Sequence, residues 1–266
     1  MSLLQIFVLA LVQGITEFLP ISSSAHLNLV HLLTPFPDQG PLVDVAIHLG
    51  SLLAVMIYFW RDMLMLLEGA LDLVRGRYSA KAKLLVWLVC ASIPVFIVGF
   101  ILLKSGAIDA MRVISVIAVA NLVFAVLLYH SDRYANERRM DEMTFGQVMI
   151  VGLSQILSLI PGVSRSGITM TAARYLGIER AEAARFSMLL AIPTILGAGA
   201  GASLEIYESG NVTLQTDAML AGVLSFVAAL ASIWGMMKWL QTMSFTPFVI
   251  YRLVLGVALL GFLLLA

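Results

Sequence analysis

Two short polar segments interrupt long apolar stretches of the sequence, and each carries side chains of the types that bind phosphate. In the first, Gln13 and Glu17 lie four residues apart, on one face of a helix that ends at Pro20. Three consecutive serines follow: Ser22, Ser23 and Ser24. A helix that begins at these serines presents unpaired N–H groups and a positive dipole end, which attract phosphate. His26 lies one helical turn after Ser23, so its imidazole could hydrogen-bond the Ser23 hydroxyl or a bound phosphate oxygen.

The second segment repeats this pattern with a cation. A turn at Pro161 and Gly162 precedes a helix predicted to run to about Gly177. Its first turn contains Arg165, whose guanidinium suits bidentate contact with phosphate. The hydroxyl residues around it are Ser164, Ser166 and Thr169. Two helix N-termini would thus converge on one site. An arginine, a histidine and a carboxylate able to hold a divalent ion favour a pyrophosphate group over a neutral ligand.

The elements that position these residues are predicted to lie in a membrane. The chain has 266 residues, 61% of them hydrophobic and 12% charged, and its mean hydropathy is +0.98. Such values are typical of integral membrane proteins and exclude an ordinary soluble domain. Six apolar runs approach the ~20 residues that cross ~30 Å of hydrocarbon as a helix: 41–60, 84–103, 112–130, 183–203, 217–238 and 248–265. The sequence therefore predicts an all-α integral membrane protein with six transmembrane helices.

Two further apolar stretches, 1–33 and 146–177, are each broken in the middle by the polar segments. Neither half of either stretch is a convincing span. Non-helical backbone is tolerated at membrane depth only where protein or water satisfies it. Both stretches are therefore predicted to be re-entrant helical hairpins, which places the polar segments near the middle of the bilayer.

The basic residues predict the orientation of these elements. Lys and Arg concentrate in 61–83, 131–145, 174–185 and 238–247, whereas the opposite loops hold only Lys104 and Arg112. This bias assigns the basic segments to the cytoplasm. The formal net charge is zero, and we expect no nucleic-acid partner.

With this orientation the two hairpins enter from opposite faces, as in an inverted-topology repeat. We expect a single membrane domain, 1–266, with a first repeat of about 1–130 and a second of about 146–266. The strings GITE at 14–17 and GLSQ at 152–155, each followed by a proline and a hydroxyl cluster, support this prediction.

The polar segments also have a simpler interpretation. An ionisable group in the middle of a span costs at least ~2.5–3.5 kcal/mol, so Glu17 and Arg165 could form a buried ion pair that only locks the hairpins together. The hydroxyl clusters could only satisfy broken backbone. We interpret His31, His48 and His130 as packing or interfacial residues. However, Asp44 and His48 share a helical face that could line a cavity. The glycines at 197, 199 and 201 suit close helix packing, including contact in a homodimer.

The strings QGITEFLPISSSAHL at 13–27 and PGVSRSGIT at 161–169 resemble the two signature segments of the bacterial undecaprenyl pyrophosphate phosphatase family, also called bacitracin-resistance proteins. The resemblance covers essentially the whole chain, including DEMTFGQ at 141–147 and RFSMLLAIP at 185–193. It implies a Mg- or Ca-dependent hydrolase that converts the C55 pyrophosphate carrier lipid of cell-wall synthesis into the monophosphate. It also implies a plasma-membrane location and an active site reached from the outer face.

Residue by residue, the resemblance places the family's acidic signature on Gln13 and Glu17, where many members carry two glutamates. It places a hydroxyl and histidine pair on Ser23 and His26, and a phosphate-binding loop on Ser164, Arg165, Ser166 and Thr169. The nucleophile stays open between Ser23, with His26 as its base, His26 itself, and a water activated by His26. An alternative function is transport of a phosphorylated lipid or small anion across the membrane, which would also use Arg165.

Overall fold

The computed structural model describes residues 1–36, 40–134, 138–208 and 212–265. Within these ranges the chain is helical apart from turns and one isolated bridge between Arg138 and Ile178. The α-helices, numbered in chain order, are α1 (Leu3–Thr16), α2 (Ser23–Leu33), α3 (Gly40–Tyr58), α4 (Trp60–Val74), α5 (Ala80–Lys104), α6 (Ala107–Ala110), α7 (Ile114–Asp132), α8 (Phe145–Ser154), α9 (Arg165–Tyr175), α10 (Arg180–Glu208), α11 (Val212–Leu240) and α12 (Thr246–Leu265). Short 3₁₀ turns span Met140–Glu142 and Gln155–Leu159.

The described residues include five helices that are long and apolar enough to cross a membrane, in α5, α7, α10, α11 and α12. Helices α3 and α4 pass the same test only together, as a pair bent by 89°, and count as a sixth span if the pair is taken as one. The prediction of an all-α, multi-pass membrane protein is confirmed. The predicted loops 131–145 and 204–216 lie partly outside the described residues.

Helix α4 was not predicted, because its residues fall in a segment that the charge pattern assigned to a loop. The chain turns at Phe59 and continues as a second helix rather than ending. The buried face of α4 packs on the start of α5, with Gly69 against the backbone of Lys81. Its exposed face is a helical stripe of apolar residues: Trp60, Leu64, Leu67, Leu71 and Val74. A stripe of this kind is typical of a helix that lies in the membrane interface.

The two hairpins are α1 with α2, and α8 with its 3₁₀ extension and α9. Helix α1 has 14 residues, which is about 21 Å and too short to cross the hydrocarbon core. Both hairpins turn where the sequence predicts, at the prolines and serines. The middle of the protein therefore contains two helix N-termini, at Ser23 and Arg165.

Each hairpin packs on the opposite half of the chain. Helix α1 lies on α11 and α8 lies on α5, while α3 pairs with α10 and α7 with α12. The glycines of the two repeated strings make these contacts: a Cβ on Gly14 would lie 2.6 Å from Ala228 Cβ, and one on Gly152 would lie 2.4 Å from the Ala91 carbonyl oxygen. This reciprocal packing is what an inverted repeat produces, and the repeat itself remains a prediction.

The glycines of α10 have neighbours within the chain. A Cβ on Gly197 would clash with the Phe96 ring, and one on Gly199 would lie 2.9 Å from Leu49. Gly201 lies outside the described side chains. These two glycines thus serve packing inside one chain, and a homodimer stays a prediction.

Candidate active site

The turns at the two hairpin tips share an uncommon backbone conformation. Ser22 has φ 74° and Ser164 has φ 73°, and they are the only non-glycine residues with positive φ in the described part of the chain. Each serine caps the following helix: Ser22 Oγ accepts from the Ala25 N–H, and Ser164 Oγ accepts from the Gly167 N–H. Non-glycine residues in such strained conformations cluster at functional sites. The two tips are therefore built alike, and their backbone marks them as candidates for a functional site.

A cavity of about 380 Å³ lies between the tips, bounded by α3 and α10. Glu17, Ser23, Ser164 and Arg165 all line it. A second cavity of about 190 Å³ shares Ser24, Asp44, His48, Arg112 and Ser158 with the first. It continues past Ile108, which lies in the connection from α5 to α7. Together the cavities form a passage from the two helix N-termini to that end of the protein.

Glu17 is the centre of a buried polar cluster. Its Oε1 accepts a hydrogen bond of 2.9 Å from Arg165 Nη2, so the ion pair considered from the sequence does form. Its Oε2 accepts from Gln13 Nε2 at 2.9 Å and from Ser23 Oγ at 2.7 Å. The glutamate side chain is only 5% exposed. The structure thus brings together four of the residues singled out in the sequence.

Two polar atoms in this cluster are left over. Arg165 Nη1 and Gln13 Oε1 are buried and have no hydrogen-bond partner among the described residues. Buried polar groups are nearly always satisfied, so each exception needs an explanation. Arg165 itself lines the cavity beside the two helix N-termini, and a guanidinium with an unpaired N–H fits an anion there. The Glu17–Arg165 ion pair thus links the hairpins, and one nitrogen of the Arg165 guanidinium has no partner among the described residues.

His26 lies one turn beyond Ser23, as predicted, but its ring faces away from the Glu17 cluster. Its Nδ1–H donates to the Ser22 carbonyl oxygen at 2.7 Å, so a neutral imidazole accepts from the Tyr251 hydroxyl at Nε2. The His26 and Tyr251 rings are stacked, with centroids 5.6 Å apart. The hydrogen bond between Ser23 and His26 that the sequence suggested is not among the described contacts. In its place Ser23 donates to Glu17.

Two of the predicted phosphate-binding hydroxyls point into the protein. Ser166 Oγ donates to the Leu19 carbonyl oxygen at 2.9 Å, which ties the second hairpin to the first. Thr169 Oγ1 lies 2.7 Å from Ser187 Oγ on α10. Neither Ser166 nor Thr169 has any exposed surface. Their contacts hold the tips in position.

Two further residues of the site, His48 and Arg252, make contacts that were not predicted from the sequence. His48, assigned to packing, places Nε2 3.5 Å from Glu17 Oε2, while its Nδ1–H donates to the Asp44 carbonyl oxygen. Arg252 on α12 is fully buried and donates to three carbonyl oxygens of the two tips, those of Pro20, Gly162 and Val163. The available signal for Arg252 was the cost of an arginine inside an apolar span. For His48 the only signal was its helical face, shared with Asp44.

Similarity to known proteins identifies the family of the chain. A family model described as bacitracin resistance protein BacA matches residues 6–258 of the chain. The chain belongs to this family. Proteins named undecaprenyl-diphosphatase are 48% identical in Jannaschia sp. (strain CCS1) and 46% identical in Roseobacter denitrificans, over 262 residues and 98% of each chain. Another from Hahella chejuensis is 45% identical over 267 residues and 100% of both chains.

The match to the BacA family spans both hairpins. The site between them contains oxygen ligands of the kind that bind a divalent cation. Within the described ranges, no group of three or more His, Cys, Asp or Glu side chains could hold a metal alone. Mg²⁺, however, usually binds one or two carboxylates together with phosphate oxygens of a substrate. Glu17 supplies a carboxylate, and Gln13 supplies the unpaired Oε1. The residues of this BacA protein thus fit a cation that is shared with a bound phosphate.

Proposed function

We propose that this protein hydrolyses the terminal phosphate of undecaprenyl pyrophosphate, giving undecaprenyl phosphate and inorganic phosphate. Such a reaction recycles the cell-wall lipid carrier and confers bacitracin resistance. The observation that carries the proposal is the position of the Arg165 guanidinium, one nitrogen of which has no partner among the described residues. It lies beside the hydrogen-bonded Glu17 and Ser23 side chains, in a cavity where two helix N-termini meet. The relatives named undecaprenyl-diphosphatase support it over the full length of the chain.

The pyrophosphate is held by charge and by N–H groups. Arg165 Nη1 donates to the terminal phosphate while Nη2 keeps its bond to Glu17. Ser24 and Ser164 line the cavity beside the helix N-termini, where their hydroxyls reach phosphate oxygens. Ser22, Ser166 and Thr169 act indirectly, because they fix the two tips.

Ser23 is the nucleophile of the proposed reaction, and Glu17 accepts its proton along the 2.7 Å hydrogen bond. A bond forms from Ser23 Oγ to the terminal phosphorus, and the bond from that phosphorus to the bridging oxygen breaks. Undecaprenyl phosphate leaves, and water then cleaves the phosphoserine to release phosphate. Arg165 and the helix N-termini stabilise charge on the transferring group. His26 is a positioning residue that holds the Ser22 turn against Tyr251.

Glu17 and Gln13 Oε1 are the groups that would hold a divalent cation, Mg²⁺ or Ca²⁺. When bound, it neutralises negative charge on the phosphate oxygens. Gln13 also holds Glu17 in place through its Nε2–H.

In this proposal the protein lies in the bacterial plasma membrane with its site open to the outer face. The passage from the site leads past Arg112 and Ile108, at the end of the protein opposite to the basic segments. The Lys and Arg bias assigns those segments to the cytoplasm. Cysteine substitutions at Lys104 and Ser79, in a Cys90→Ala background, test this: a membrane-impermeant thiol reagent added outside should label position 104 alone.

The deciding assay is phosphate release from C55 or C15 isoprenyl pyrophosphate by purified protein, with and without chelator. Glu17→Ala and Arg165→Ala should abolish release, while Glu142→Gln, an exposed carboxylate elsewhere, should retain it. Acid quenching should trap phosphate on Ser23. Release without any trapped adduct after either acid or alkaline quenching would favour water as the nucleophile, because an adduct on His26 survives only in alkali. Binding of the lipid without release would favour transport.

A further inference from the structure

A third cavity lies at the opposite end of the protein from the proposed active site. Its volume is about 270 Å³, and it is formed by α4, α5, α8, α10 and the 3₁₀ turn Met140–Glu142. Its lining combines apolar side chains, among them Trp87, Leu84 and Phe186, with four cations and two carboxylates: Lys81, Lys83, Arg139, Arg185, Asp141 and Glu182. These cations come from three of the four basic segments. The hydrolytic mechanism uses none of these residues.

Two of the four cations are neutralised by carboxylates. Arg185 donates to Asp62 at 2.5 Å and contacts Glu182, and Lys81 pairs with Glu68. These pairs leave little net positive charge at Lys81 and Arg185.

The other two cations remain available at the rim. Lys83 lies over the Trp87 ring at 4.1 Å, and no carboxylate is within ion-pair distance of it among the described residues. Arg139 lies 3.6 Å from Asp141, a contact between largely exposed groups that contributes little. The N-terminus of α5 lines the same rim at Ala80 and adds the positive end of a 25-residue helix. The rim is therefore suited to a phosphate group.

The depth of the cavity suits an amphipathic ligand. Trp87 lies seven residues after Ala80 along α5, which is about 10 Å deeper. Trp87 and Leu84 form an apolar wall below the charged rim, and the Trp87 ring is supported by that of Phe145 at 5.9 Å. Helix α4, with its exposed apolar stripe, forms another wall through Met65. A phosphate at the rim would thus have acyl chain directly beneath it.

We propose that this cavity binds the headgroup of an anionic membrane phospholipid such as phosphatidylglycerol. The phosphodiester lies between Lys83, Arg139 and the N-terminus of α5, and the upper acyl chain lies against Trp87. Basic pockets between transmembrane helices are a known mode of anionic lipid recognition. The lipid fastens α4 to α5 and α8, and this role is separate from the proposed hydrolysis.

The test compares binding of dioctanoyl phosphatidylglycerol and dioctanoyl phosphatidylcholine to the purified, delipidated full chain by native mass spectrometry. With about 1 kcal/mol per cation near a membrane surface, the Lys83→Gln/Arg139→Gln variant should bind phosphatidylglycerol about 30-fold more weakly. The matched control is Lys238→Gln/Arg133→Gln, since these cations also lie over aromatic rings, of Trp234 and Tyr129, but outside the cavity. The control should bind like the wild type.

Equal binding of phosphatidylcholine, or unchanged binding in the cavity variant, would overturn the proposal. Stronger binding of glycerol phosphate or farnesyl phosphate at the same residues would also overturn it, because the site would then take a free phosphate or a prenyl lipid. Brominated phosphatidylglycerol provides a second readout that needs no change in the cavity. It should quench the emission of a Trp60→Phe/Trp234→Phe/Trp239→Phe variant, in which Trp87 alone remains.

Discussion

The contact between α8 and α5 gives a sharp test of how the second hairpin is positioned. A Cβ at Gly152 would lie 2.4 Å from the Ala91 carbonyl oxygen, whereas ordinary contact begins at 3.4 Å. Gly152→Ala must therefore move α8 away from α5 by about 1 Å. Overpacking of this kind costs about 1–3 kcal/mol, which exceeds the ~0.5–1 kcal/mol that alanine gains over glycine in a helix.

The same shift would reach the proposed catalytic residues, because the chain runs from α8 through the 3₁₀ turn to Arg165. A misplacement of about 1 Å can cost about 100-fold in rate. We expect kcat for phosphate release to fall by about that factor in Gly152→Ala, with a lower midpoint of thermal unfolding.

Gly146→Ala is the matched control, since it lies on the same helix and its added Cβ meets nothing within 4 Å. It should keep the wild-type kcat and unfold at the same or a higher temperature. If Gly152→Ala behaved like Gly146→Ala in both assays, the packing of α8 on α5 would not determine where Arg165 lies.

The remaining predictions concern the site itself. Arg165→Lys keeps the charge, but a single ammonium cannot bind both Glu17 and a phosphate as a guanidinium does, so kcat/KM in steady-state assays should fall by about 100-fold or more. Near-normal kinetics would contradict simultaneous binding of Glu17 and phosphate by Arg165. Tyr251→Phe removes one hydrogen bond to His26, worth about 0.5–1.5 kcal/mol, so it should lower the unfolding temperature and reduce kcat less than tenfold. A complete loss of activity in a folded Tyr251→Phe protein would instead place this pair in the chemistry. Arg252→Met leaves three buried carbonyl oxygens without a donor, at about 1–3 kcal/mol for each unsatisfied group, and should unfold well below the wild type in a thermal scan.

The positions of the two hairpins could be predicted because their signals are local. Proline ends a helix, serine starts one, and a span that is too short must turn back within the membrane. Pairing of Glu17 with Arg165 was also foreseeable, since two charges in a bilayer seek each other.

The features that were missed depend on tertiary contacts. The bend at Phe59 has no proline or glycine to mark it, so α4 was taken for a loop. The histidines were ranked by sequence spacing, which brought His26 close to Ser23 and gave His48 at most a place in the wall of a cavity. His48 does line the cavity, but its contact with Glu17 was not predicted. In the structure each ring is oriented by a tertiary contact. His26 hydrogen-bonds Tyr251 on α12, and His48, which lies on α3, faces Glu17.

Arg252 also has a consequence for how the protein is made. The carbonyl oxygens that it binds belong to hairpins at 1–33 and 146–177, yet the arginine itself lies in α12, which is synthesised after both. Until α12 enters the membrane, neither tip has its donor, and the two tips are not tied to each other through it. A nascent chain would therefore contain all the residues of the Glu17 cluster before Arg252 aligns the two tips. Catalytic competence would arise only once α12 is in place.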